Sequence, residues 1–361
     1  MRSIRLGNLA LTFYLLAILA GSPRLANAQE NTAQKISTSE TGFAVKKPVF
    51  GGACKLCPWG SLADVVKEAL QPYGWDIQIC YVCAGGPRAA RLVAGKVVPP
   101  KPEPGRGQPI PPNGPLDLGA TGTQFLWWAY QGTNAFASDP EGPRKELRFI
   151  ANIQQPSYFL VAVRADSGIT DLRQILERRM PVKILVSDIM RDASTLLDYY
   201  GLTAKKVESF GGELRTSSAG ENRLNLDVAM GWGSLVNAPE YNYWYEISQK
   251  YDLRYLELPQ DLTEKWARDL NMEVRNVPPG LLRGIDRPVR TVAKTGAVVY
   301  GRTDMPDDFA YTLAKALDEN QDLLQWTHMN FSYNVNSVWK AYGVPLHPGA
   351  ARYYKERGYM K

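Results

Sequence analysis

Residues 116–131 read Leu116-Asp117-Leu118-Gly119-Ala120-Thr121-Gly122-Thr123-Gln124-Phe125-Leu126-Trp127-Trp128-Ala129-Tyr130-Gln131. Leu116 to Gly119 predicts a short buried strand. Ala120 to Thr123 predicts a loop of small and hydroxyl residues, and Gln124 to Gln131 a helix. The same unit occurs twice upstream. In the first copy Pro48-Val49-Phe50 is the strand, Gly51–Gly60 the loop and Ser61–Leu70 the helix. Leu62, Val65, Val66 and Ala69 share one helical face there, with Ser61 as N-cap and Asp64 at N3. In the second copy Trp75–Val82 alternates through Ile77, Ile79 and Tyr81. The loop Cys83-Ala84-Gly85-Gly86 follows, then a helix that opens at Pro87 and stops at Gly95. Strand and helix in alternation argue for a mostly parallel sheet flanked by helices.

The pattern resumes downstream as a second α/β region. Phe159–Val163, Val182–Val186, Leu226–Met230 and Thr295–Tyr300 read as strands, and Asp171–Arg179 and Ala193–Tyr200 as helices. Asp304-Met305-Pro306-Asp307-Asp308 opens a long helix through Asn320. The expected organisation is a signal peptide at 1–28, a leader at 29–45 and a first lobe at 46–158. A second lobe follows at 159–303, and 304–361 returns to the first lobe. Residues 97–115 hold eight prolines, which excludes helix and central strand and predicts a surface insertion.

The chain has 361 residues, with 42 Lys+Arg and 36 Asp+Glu. That length suits two cores. Met1-Arg2-Ser3-Ile4-Arg5, the apolar run Leu9–Gly21 and Ala26-Asn27-Ala28 form a signal peptide cut after Ala28, which points to the periplasm. Cleavage removes Arg2, Arg5 and Arg24 and no acid, so the net charge falls from +6 to +3. That is too small to argue for nucleic acid. Two histidines exclude a His-rich metal centre. G-x-S-x-G, H-E-x-x-H and P-loop motifs are absent, so a binding protein is expected rather than an enzyme.

In open α/β sheets ligands sit beyond the carboxyl ends of the strands, facing helix N-termini. The residues placed there are Cys57, Trp59, Gly60, Gly85, Gly86, Thr121, Thr123, Gln124, Trp127, Asp188, Met190, Arg191 and Trp232. Arg191 offers a bidentate fork to a carboxylate. Its competing reading is a solvated pair with Asp188 or Asp192. Trp59, Trp127 and Trp232 can stack on a solute, although one of Trp127 and Trp128 should face the core. Thr121, Thr123 and Gln124 offer hydroxyl and amide contacts. Tyr241, Tyr243, Trp244 and Tyr245 read as lobe packing, and His347 as structural.

Cys54, Cys57, Cys80 and Cys83 form two C-x-x-C pairs 22 residues apart. The oxidising compartment favours disulfides, each worth about 3 kcal/mol, with three pairings open. The alternatives are a metal or thiophilic-ligand receptor and a periplasmic thiol-disulfide enzyme.

Several stretches resemble the TAXI family of TRAP-transporter solute-binding proteins. They are Asp117-Leu118-Gly119 with Trp127–Gly132, Leu147–Ala151, Val161–Ile169 with Asp171-Leu172, and Gly201-Leu202-Thr203. The series continues with Val289–Gly301, Asp304–Asn320 and Leu346–Gly358. The resemblance implies a two-lobed type II periplasmic-binding-protein fold joined by hinge strands. It also implies a small organic acid or amino acid as solute, delivery to the membrane subunits of a TRAP permease, a monomer and no cofactor. The site loops depart from the family pattern at Cys54–Gly60, Gly85–Ala89, Thr121–Gln124 and Ser187–Asp192, so the family's usual ligand does not carry over.

Overall fold

The computed structural model describes residues 47–51, 58–81, 86–95, 116–153, 156–186, 190–216, 224–234, 242–327, 329 and 332–361, without the side chains of 86–88, 190 and 191. The signal peptide, the leader, the proline-rich insertion, Cys54, Cys57, Cys83, Gly85 and Asp188 lie outside these residues, as do the side chains of Met190 and Arg191.

Two open sheets carry the chain. The first uses β1 (Val49–Gly51), β2 (Gln78–Ile79), β3 (Leu118–Gly122) and β4 (Leu147–Asn152), with helices α1 (Pro58–Leu70), α2 (Gly86–Ala94) and α3 (Thr123–Gln131) between them. The second uses β5 (Ser157–Arg164), β6 (Lys183–Val186), β7 (Glu213–Thr216), β8 (Val228–Gly233), β9 (Leu253–Tyr255), β10 (Glu273–Val277) and β11 (Val289–Lys294). Its helices are α4 (Arg173–Glu177), α5 (Met190–Tyr199), α6 (Ala204–Ser209), α7 (Asn242–Lys250) and α8 (Gln260–Leu270). The chain then returns to the first sheet as β12 (Ala297–Arg302), followed by α9 (Asp307–Glu319), α10 (Gln321–Gln325) and α11 (Pro348–Glu356).

The first sheet runs β2-β1-β3-β12-β4, and the second β10-β11-β5-β8-β6-β7 with β9 on β5. A strand that comes back from the second lobe is thus wedged between β3 and β4 of the first. This is a two-lobed α/β architecture built on two open sheets. The sheets are mixed rather than mostly parallel. β1 is parallel to β2 and β3, but β12 is antiparallel to both its neighbours. In the second sheet β6 is parallel to β7 and β8, whereas β5 is antiparallel to β8, β9 and β11.

Each sheet has apolar layers on both faces, which is why its central strands are buried at nearly every position. Phe50, Leu118, Ala120 and Val299 pack against α1 and α9. Val298, Tyr300 and Phe149 pack on the opposite face against α2 and α3. The second lobe repeats the plan with Phe159, Val161 and Val163 on one face and Leu160 and Ala162 on the other.

Several sequence expectations shift. The first helix starts at Pro58 and not Ser61, so Ser61 is a buried interior residue and Trp59 and Gly60 belong to α1. Proline suits the first helical turn because its missing N–H would have no helical partner. β3 continues to Gly122, so Thr121 is a strand residue and α3 begins directly at Thr123. β8 extends through Gly233 and takes Trp232 with it. Because β12 belongs to the first sheet, the return crossing falls at 295–296 and not at 303–304.

Candidate functional site

Two stretches cross between the sheets, 153–156 after β4 and Thr295-Gly296 after β11. The described residues that flank them lie together. Lys294 and Ser157 are register partners across β11 and β5, and Ile153 N donates to Ala297 O at 2.8 Å. Asn152 Nδ2 donates to Thr295 O at 3.0 Å, tying one crossing to the other. Gly296 has φ +135°, a backbone state that side-chain-bearing residues avoid. It places its carbonyl within 3.2 Å of Thr123 N, the first residue of α3.

The first turn of α3 therefore abuts the crossing. Thr123 Oγ1 and Thr295 Oγ1 are 2.8 Å apart and share a hydrogen bond. Tyr342 also reaches Thr295; burial pushes its phenol upward, and that hydrogen bond works in the opposite direction. Thr121 and Gln124 are 0% and 2% exposed. Thr121 Oγ1, both head-group atoms of Gln124 and Asn152 Oδ1 have no hydrogen-bond partner among the described residues.

On the second lobe the same junction is closed by three side chains. Trp232 Nε1 donates to Asp192 Oδ2 at 2.9 Å. Lys294 Nζ lies 3.4 Å from that oxygen and 3.7 Å above the centre of the Trp232 ring. Trp244 Nε1 donates to Trp232 O at 2.9 Å from behind. Asp192 is 1% exposed. It occupies the first turn of α5, where a carboxylate complements the helix dipole.

The structure thus brings Thr121, Thr123 and Gln124 to one place and sets others apart from their expected roles. Trp232 is 1% exposed and holds its lobe together rather than offering a free ring face. Trp59 packs against the first core. Trp128 is the fully buried member of the Trp127-Trp128 pair, and Trp127 packs against Gly343, where an added Cβ would sit 2.9 Å from its Cδ1. Tyr243 and Trp244 are core residues of the second lobe. His347 is the N-cap of α11, accepting from Gly349 N and pairing through Nε2 with Met305 O at 3.1 Å. Cys80 is 4% exposed and disulfide-bonded.

Asn152, Asp192, Lys294 and Thr295 were not picked out as site residues from sequence. One signal for them exists: Lys294-Thr295-Gly296 is a polar break between two apolar strands, and Asn152 is a lone polar residue in the run Phe149–Ile153. A separate pocket of about 480 Å³ lies in the second lobe, lined by Asp171, Tyr200, Arg254, Glu257 and Arg287 among others. None of the site residues expected from sequence lines it.

Similarity to solved structures is widespread but distant. A Xanthomonas citri protein bound to chloride ion is 14% identical with a TM-score of 0.40, over 86% of this chain and 96% of that one. The periplasmic aliphatic sulphonate binding protein of Escherichia coli is 16% identical at TM-score 0.38, over 86% and 84%. A glycine/betaine/L-proline-binding protein of Borrelia burgdorferi is 12% identical at TM-score 0.39, over 85% and 99%. The profile of the NMT1-like family matches residues 112–358, which span β3 and everything after it, and the chain belongs to the NMT1-like family.

Proposed function

We propose that this protein is an exported solute-binding receptor. It captures a small polar organic solute, of the organic acid or amino acid class, between its lobes and hands it to the membrane subunits of a TRAP-type permease. The observation that carries the reading is the junction itself. Two adjacent crossings, pinned by Asn152, Thr123 and Thr295, connect two separately cored lobes. Hydrogen-bonding atoms of Thr121, Gln124 and Asn152 stand buried and unpartnered beside them. Such a connection lets the lobes rock about a short axis. Arg191, at the start of α5, is assigned to the anionic group of the solute, and Gly85, Gly86, Asp188, Met190, Cys57 and Trp59 to the walls. The protein works as a monomer and binds rather than turns over its solute. Among the described residues no helix is long and apolar enough to cross a membrane.

The disulfide state of Cys80 favours a cross-linked loop framework of Cys54, Cys57, Cys80 and Cys83 over thiol chemistry or metal capture. Thermal-shift screening of organic acids and amino acids, followed by small-angle scattering, tests the reading. A binding solute raises the midpoint and shrinks the radius of gyration. A protein that binds no solute in the screen is not a receptor of this class.

A further inference from the structure

Buried hydrogen-bonding atoms in folded proteins find partners, so each exception asks for a cause. Half of the exceptions among the described residues are single atoms on large aromatic frames, such as Tyr255 OH or Trp266 Nε1. Ring burial explains those. Gln124 is different. Its whole head group is polar, it is 2% exposed, and neither Oε1 nor Nε2 is satisfied among the described residues. Nothing apolar about the residue drives it inside. Its immediate neighbour Thr123 is satisfied by Thr295, so the local backbone is held in place while the amide is left open. Thr121 Oγ1 adds a second open group three residues earlier.

A primary amide presents an acceptor and a donor side by side in one plane. A carboxylate can accept from Nε2 but sets its other lone pairs against Oε1. An ammonium or guanidinium satisfies Oε1 and leaves Nε2 empty. A single planar group with adjacent donor and acceptor satisfies both at once. We infer that the solute presents a carboxamide, lactam or urea edge to Gln124, with the Thr121 hydroxyl completing the set. This rests on the receptor reading above and is compatible with it: the solute is an organic acid or amino acid whose other end is a carboxamide. A site that leaves buried groups unpaired rejects analogues lacking the match far more strongly than it rejects a missing methylene.

The test is titration calorimetry on the intact, disulfide-bonded protein with matched acids and amides over a series of chain lengths, such as succinate against succinamate and glutamate against glutamine. At least one amide binds at least about tenfold tighter than its isosteric acid. In Gln124→Met, which keeps the shape and removes both hydrogen-bonding atoms, the ratio drops to about threefold or less. The empty variant meanwhile unfolds at an equal or higher urea concentration, because an unsatisfied buried amide has been removed. Acids binding as tightly as their amides, or a ratio unchanged in the variant, overturns the inference. So does a clear loss of stability in the empty variant, since Gln124 would then be a structural group. Failure of every acid and amide while other solutes bind also sinks the inference but leaves the receptor standing. Failure of all solutes sinks both.

Discussion

The ammonium of Lys294 and the carboxylate of Asp192 meet where the second lobe ends, 3.4 Å apart, with the indole of Trp232 between them as donor to one and as platform for the other. Asp192 is almost fully buried, and Lys294 is the last residue before the chain crosses back. A buried carboxylate that loses its cation is left uncompensated. Lys294→Met is therefore expected to destabilise by about 2–3 kcal/mol, below the usual range for a broken buried pair because Lys294 is partly exposed. Asp192→Asn keeps an acceptor for Trp232 and should cost less. Urea unfolding of both single variants and the double variant gives the coupling energy, expected at about 1 kcal/mol or more. Strict additivity would show that the contact is incidental.

His347 gives a pH signature. Its imidazole is held below the usual 6.5, chiefly by burial, with Asp307 and the Met305 carbonyl opposing. A depressed value means that the unfolded chain takes up the proton first. The contribution is complete above about pH 6.5 and shrinks as the pH falls through the lower folded value. Unfolding free energy should decline from pH 7.5 to pH 5, by at most about 1.4 kcal/mol per unit from this group. His347→Asn replaces the capping ring nitrogen with an amide oxygen, keeps an acceptor for Gly349 N and should have a flatter profile over the same window. An unchanged slope in that variant assigns the pH dependence elsewhere.

Gly349 sits where α11 crosses the start of α9. A Cβ at this position would lie 1.9 Å from the Asp307 carbonyl oxygen, which is backbone and cannot rotate away. Gly349→Ala must push the two helices apart and should cost about 2–3 kcal/mol, read by the urea midpoint. A cost below about 0.5 kcal/mol would mean that the helix pair is looser than its packing indicates.

The four cysteines are expected to show no free thiol in the denatured, unreduced protein and four after reduction. Cys80 is disulfide-bonded already. Reduction should lower the unfolding midpoint by about 5 °C or more, from the loss of cross-links worth about 2–4 kcal/mol each. Titratable thiols before reduction, removed by a metal and restored by a chelator, would return the cysteines to metal capture.

The repeating strand–helix units were legible because each buried strand is a short apolar run ended by glycine or polar residues. The exceptions are instructive. Ala120-Thr121-Gly122 reads as a loop, yet it is central strand. Gly119 is there because a Cβ would lie 2.8 Å from the Gly51 carbonyl and 3.1 Å from Tyr300 OH, and neither neighbour is visible from local sequence. Trp232 reads as an available ring because glycines flank it. Its actual partners, Asp192 and Lys294, are 40 and 62 positions away. Gln124 stands out in the sequence because it is read as opening a helix after a strand. That its amide is unsatisfied became visible only with the surrounding core in place.

The register pairing of Ser157 with Lys294 means that the second lobe is entered and left through neighbouring positions of one two-strand ribbon. Everything from 157 to 294 can then be regarded as a cassette whose chain enters and leaves at one place. The first lobe's sheet meets that cassette at a pair of chain ends already held at hydrogen-bonding distance, and Asn271 Nδ2 adds a contact to Tyr342 O at 3.1 Å. Recombination between relatives at this point would exchange one wall of the proposed cleft while leaving β12, α9 and α11 in place. A new specificity could be assembled by swapping half of the cleft rather than by rebuilding the whole.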